Sequence, residues 1–112
     1  MIDVVKRDKE SIWHPFTPLK GMDDVLPIAR AKGVNLFTDD GKKIIDAISS
    51  WWVNIHGHSN TYLADAISEQ AKNLEHVIFA GFTHEPAVRL AERLLEILPD
   101  NQSKIFFSDN GS

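Results

Sequence analysis

Cysteine is missing from this 112-residue sequence. Disulfides, thiolate metal sites and cysteine nucleophiles are thereby removed from consideration. Basic runs are scarce too: no run of Lys or Arg exceeds Lys42-Lys43, and 12 basic residues against 16 acidic ones leave a formal charge of −4. Proteins that bind nucleic acid or anionic membranes normally carry a basic patch, so neither partner is expected. No apolar stretch approaches the roughly 20 residues of a membrane span, and the first residues show no signal-peptide apolar region. A cytoplasmic protein is the expectation.

What is present is the composition of an ordinary globular protein, 43% hydrophobic and 25% charged. Residues 1–12 read as a short helix or a loose lead-in. Trp13-His14-Pro15-Phe16-Thr17-Pro18 follows, and its two prolines forbid regular helix, so an extended arm with two sticky aromatics is expected. From Val25 to Ile48 the pattern turns strand-like. Asp39-Asp40-Gly41 between apolar runs signals a hairpin, and Lys32-Gly33 a second turn, which predicts a three-stranded antiparallel meander with Pro27 on an edge strand. Such a ribbon needs a cover for its apolar face.

Residues 49–60 form an irregular linker rich in tryptophan and small polar residues. Asn60 is placed to cap a helix running to about Glu75, with Leu63, Ala66, Ile67, Ala71 and Leu74 on one face. Gly81-Phe82-Thr83 breaks the chain. Thr83 is then the expected cap of a second helix, with Pro86 in its first turn and Ala87, Leu90, Ala91, Leu94 and Leu98 along one stripe. Lys104-Ile105-Phe106-Phe107 reads as a strand buried on both faces in a parallel or mixed sheet. One such strand makes no sheet, so the 112 residues are expected to be part of a larger α/β protein.

Three stretches are candidates for chemistry. Asp109-Asn110-Gly111-Ser112, a turn of the kind that opens a helix, would aim backbone N–H groups and a hydroxyl at one spot and make an anion site suited to a phosphate. In extended chain Trp51 and Trp52 would point to opposite sides, which fits either two core or interface tryptophans or one in the core and one lining a cleft for an aliphatic or ring-shaped ligand. His56 and His58 lack a third ligand nearby, so hydrogen-bonded loop histidines are the expectation rather than a metal. Thr83-His84-Glu85 reads as a helix cap, not a relay. No catalytic acid, base or nucleophile is evident.

Several motifs come in an order and spacing that resembles a known family. They are Trp13-His14-Pro15-Phe16-Thr17, Asp40-Gly41, Ser49-Ser50-Trp51-Trp52, Ile55-His56-Gly57-His58, Phe79-Ala80-Gly81-Phe82-Thr83-His84 and Asp109-Asn110-Gly111-Ser112. Together they resemble the adenosylmethionine-8-amino-7-oxononanoate aminotransferase family, among the class III pyridoxal-phosphate-dependent aminotransferases. The likeness runs from about Trp13 to Ser112, and the paired tryptophans with the Trp-His-Pro arm are its most specific part.

The resemblance implies an N-terminal fragment of an α/β, fold-type I pyridoxal-phosphate-dependent transferase. It places residues 1–56 in the arm and part of the small domain, with its antiparallel meander. Residues 57–112 begin the large cofactor-binding domain, with its first helices and first strand. Gly111 and Ser112 match the turn that binds the phosphate of pyridoxal 5′-phosphate. Trp51, with Trp52 beside it, matches the substrate-contacting tryptophan. Phe16 stands where many relatives carry tyrosine, which keeps a stacking role without the hydroxyl hydrogen bond. The family's Schiff-base lysine falls outside this stretch, so catalytic residues are not expected within it. The intact enzyme is implied to be a homodimer that moves an amino group from S-adenosylmethionine to 8-amino-7-oxononanoate in biotin biosynthesis. Lysine as donor, another class III enzyme acting on ornithine or 4-aminobutyrate, and a non-catalytic interaction module are the alternatives.

Overall fold

A computed structural model describes residues 3–21 and 23–109. Two compact units divide the chain, Met1–Ile67 and Ser68–Ser112.

The first unit opens with helix α1 (Val4–Ser11). Asp3 starts it: its carboxylate accepts the N–H groups of Val5 and Lys6 at 3.0 and 3.2 Å, which satisfies two of the donors a helix start leaves free. The expected antiparallel meander follows as β1 (Ile28–Lys32), β2 (Asn35–Thr38) and β3 (Lys43–Ile45), in spatial order β1-β2-β3. Register pairs Lys32 with Asn35 and Asn35 with Ile45, and a bulge interrupts the β1–β2 ladder between Ile28 and Arg30. Pro27 stands just before the edge strand β1, where its missing N–H costs no ladder bond.

The Asp-Gly hairpin is built around Thr38. Its N–H reaches the Lys42 carbonyl at 3.0 Å, its carbonyl accepts from Gly41 N–H at 3.1 Å, and its hydroxyl donates to the Asp40 carboxylate. Gly41 takes φ +87°, a conformation that excludes most other residues. The Thr38 hydroxyl and the Lys42 ammonium and N–H together hold the Asp40 carboxyl down at about 2.

Ser49–Trp52, α2, is a single turn of unusual hand. Ser49, Ser50, Trp51 and Trp52 all have positive φ, between 47° and 68°. The extended backbone expected at the two tryptophans is therefore not found. Helix α3 (Thr61–Asn73) then begins as expected, with the Asn60 side chain accepting Leu63 N–H at 3.2 Å.

The second unit carries α4 (Glu85–Leu95), one residue later than a Thr83 cap would place it: His84 is the N-cap and has no side-chain cap bond. Pro86 falls in the first turn, where its missing donor costs nothing.

Lys104–Phe107 does not form a strand. A strand needs a neighbour for its backbone groups, and every strand pairing among the described residues lies inside the β1-β2-β3 sheet. Phe107 instead meets Phe79 edge to face, centroids 5.6 Å apart, while Phe106 is 92% exposed. Among the described residues no apolar side chain is fully buried, and Thr38 is the single buried residue.

Candidate functional site

The most constrained part of the first unit surrounds Asp46, the residue after β3. Its N–H donates to Val34 carbonyl at 2.9 Å, which continues the sheet by one bond. Its side chain, only 5% exposed, turns towards α2. There it accepts Ser50 N–H at 3.0 Å, Ser50 Oγ–H at 2.8 Å, and His58 Nε2 at 2.7 Å. The Ser50 backbone bond, then the His58 ring, then the Ser50 hydroxyl pull the Asp46 carboxyl down to about 2. These letters do not make a Ser-His-Asp relay: the Ser50 hydroxyl donates to the carboxylate, and the imidazole bonds the carboxylate and not the serine oxygen.

His58 is fixed from a second side. Gly33 N–H donates to His58 carbonyl at 3.0 Å and His58 N–H to Gly33 carbonyl at 2.8 Å. The close approach needs glycine at position 57, whereas a Cβ on Gly33 would meet nothing within 4 Å. A Cβ on Gly57 would lie 3.1 Å from Gly33 Cα, and Gly57 has φ +79°.

The turn held this way costs energy. A non-glycine residue in the left-handed region costs about 1 kcal/mol or more, and four stand in a row. Local hydrogen bonds offset part of that, with Trp52 N–H to Ile48 carbonyl at 3.0 Å and Asn54 N–H to Ser49 carbonyl at 3.1 Å. The Asp46 bonds to Ser50 add the only side-chain clamp on the turn among the hydrogen bonds of the described residues.

Trp51 is what the turn presents. Its indole meets Phe16 edge to face, ring centroids 5.2 Å apart at 64°. Phe16 has φ +57°, so both aromatics stand on left-handed backbone. The arm bearing Phe16 is braced by Trp13 Nε1–H to Thr17 carbonyl at 3.1 Å, Thr17 Oγ–H to His14 carbonyl at 2.7 Å, and a His14–Asp8 hydrogen bond at 2.9 Å. Two of the three expected substrate-facing residues, Phe16 and Trp51, are thus brought together as an aromatic wall. Trp52 is 78% exposed and stands beside them in sequence without a ring contact to either. Gly111 and Ser112 lie outside the described residues. No cluster of three potential metal ligands occurs among the described residues, and His58 hydrogen-bonds Asp46.

The sequence reading missed Asp46 and the hand of the turn. Neither left a local pattern: Asp46 stands directly after an apolar strand, three residues before the Ser-Ser-Trp-Trp run, and only the fold brings Ser50 and His58 to it. In the second unit His76, Val77, Phe79, His84, Leu90 and Phe107 border an apolar cavity of about 410 Å³. The His84 ring packs edge-on to Phe79 at 5.7 Å, with its Nδ1 buried and without a hydrogen-bond partner among the described residues.

Residues 19–112 match the class-III aminotransferase family. An adenosylmethionine-8-amino-7-oxononanoate aminotransferase of Synechococcus elongatus is 54% identical over 101 residues, which is 90% of this chain and 24% of that protein. The enzyme of the same name from Aquifex aeolicus is 41% identical over 96% of this chain and 24% of its own length. Among solved structures, the one from Methanocaldococcus jannaschii superposes with a TM-score of 0.86 at 39% identity, over 95% of this chain and 25% of that one. An omega transaminase from Pseudomonas jessenii in complex with PMP gives 0.87 at 32% identity, over 97% and 25%. The chain therefore spans about a quarter of the length of the curated relatives it matches. Its three-stranded antiparallel sheet and helices are the α/β architecture of the corresponding part of pyridoxal-phosphate-dependent aminotransferases. The chain belongs to the class-III aminotransferase family.

Proposed function

We propose that these residues form the N-terminal part of an enzyme that transfers an amino group from S-adenosylmethionine to 8-amino-7-oxononanoate, giving 7,8-diaminononanoate for biotin biosynthesis. The observation that carries it is the Phe16–Trp51 wall, two aromatic faces 5.2 Å apart on a braced arm and a clamped turn. An indole so placed offers a flat apolar surface to the aliphatic part of a long acceptor. The names of the relatives, at up to 54% identity, support the same substrate.

Pyridoxal 5′-phosphate is the proposed cofactor, supplying an electron sink for the carbon that loses its proton. Gly111 and Ser112 would hold its phosphate: backbone N–H groups and a hydroxyl are the donor set a phosphate takes, and glycine leaves the backbone open to close approach. The residues of this chain bind and orient; Phe16, Trp51 and Trp52 hold the acceptor's chain. The residue that moves the proton is proposed to lie in the remaining three quarters of the enzyme. Residues 1–56 then serve the arm and small domain and residues 57–112 the cofactor-binding domain, in a cytoplasmic homodimer.

The likeness to an omega transaminase at a TM-score of 0.87 favours a second reading, a class III enzyme with another amine specificity. Steady-state assays of the enzyme in full length separate the two. The expected result is turnover of 8-amino-7-oxononanoate with S-adenosylmethionine, or with lysine as the donor. Activity confined to ornithine or 4-aminobutyrate with a keto acid would reject the proposal.

A further inference from the structure

We propose that Asp46 is a positioning residue for substrate selection: its carboxylate, held by His58, clamps Ser50 and thereby sets the left-handed turn that aims Trp51 at Phe16. This deepens the proposed function and rests on it for the identity of the acceptor.

The chain of contact is continuous. One Asp46 oxygen takes the Ser50 N–H, the bond that fixes the backbone immediately before Trp51. The other is shared by Ser50 Oγ and His58 Nε2, so the carboxylate cannot rotate without breaking two bonds. His58 is anchored in turn by paired backbone bonds to Gly33 in the connection between β1 and β2. The position of an indole at the substrate wall is thus referred back to the sheet through one carboxylate. The Asp46 carboxylate hydrogen-bonds Ser50 and His58, and neither aromatic side chain is among its hydrogen-bond partners. Its influence on an acceptor passes through Trp51, which distinguishes it from the wall residues themselves.

That routing has a consequence that a purely stabilising residue would not share. If Asp46 acts through Trp51, removing both side chains harms acceptor binding no more than removing Trp51 alone. The test uses the full-length enzyme and its D46A, W51A and D46A/W51A variants, with kcat and KM for 8-amino-7-oxononanoate measured at saturating donor. D46A is expected to raise the acceptor KM by about tenfold with a much smaller fall in kcat, and the double variant to match W51A. A fall in kcat with KM unchanged, or losses that multiply in the double variant, would overturn the proposal. Should D46A not yield soluble enzyme, S50A decides. It removes one hydroxyl from an exposed residue, and KM rising by about threefold supports the clamp while an unchanged KM rejects it. A wild-type enzyme that turns over another amine instead overturns the acceptor's identity alone, and the D46A/W51A comparison is then read on that substrate.

Discussion

At the scale of single residues, two carboxylates among the described residues, Asp40 and Asp46, are held well below their ordinary range. Asp46 is held at about 2, against an ordinary value of 3.8, by the Ser50 N–H, His58 and the Ser50 hydroxyl. A carboxyl lowered on folding stabilises the folded form fully above its ordinary value, and that contribution disappears as pH falls through the folded value. The clamp is therefore intact at neutral pH and is lost between about pH 4 and about pH 2. Tryptophan fluorescence followed through that window is expected to change as Trp51 is released, and D46N is expected to remove that part of the change. Asp40 titrates over the same range but sits in the β2–β3 hairpin beside Thr38 and Lys42, so a D40N control separates the two. Little of this was legible beforehand. Phe16 stood out in its proline-bounded arm and Trp51 among small polar residues, while the substrate-facing role of Phe16 came from the family resemblance alone. Asp46 did not stand out, because its role depends on Ser50 and His58 arriving at one point, and pairings four and twelve residues apart outside regular structure leave no periodic trace.

At the scale of elements, local signals were read well where local chemistry decides. Asp-Gly gave the β2–β3 hairpin, Asn60 capped α3, and apolar spacing gave α4. They failed where partners decide. Lys104–Phe107 has strand composition and no strand, since composition cannot supply a neighbour for its backbone groups. The left-handed α2 was invisible for a different reason. Serine and tryptophan have no preference for positive φ, so only the surrounding bonds select it. The seam between Gly33 and Gly57 is the element most exposed to a single substitution. In G57A the new methyl meets backbone 3.1 Å away, and the residue is strained at φ +79°. A loss of about 1–3 kcal/mol is expected on those grounds. Thermal denaturation of the full-length enzyme checks it, and a Tm unchanged from wild type would show that the seam opens freely.

For the whole molecule, the decisive observation is what remains uncovered. Ile45, Ile48, Trp52, Val53, Ile55, Ile67 and Ile97 are each more than half exposed, and no apolar side chain among the described residues is buried. Apolar surface on this scale marks a face that another part of a protein covers. A chain spanning a quarter of its relatives' length fits that picture. The purified 112-residue chain is accordingly expected to bind a hydrophobic dye, to scatter light as aggregates, and to show no cooperative melting. A sharp calorimetric transition from a monodisperse particle would instead favour a self-sufficient interaction module.

The bonds of Asp46 and His58 have an architectural corollary. They close the intervening residues into a ring, fastened to the sheet at the join and touching the arm through Trp51 and Phe16. Val53 and Ile55, 76% and 74% exposed, lie on its far arc. Lengthening a closed ring is cheap, about 0.6 kcal/mol for each doubling. Insertions on that arc would therefore redraw the boundary of the proposed acceptor cleft while leaving the fastening, and the strands behind it, as they are.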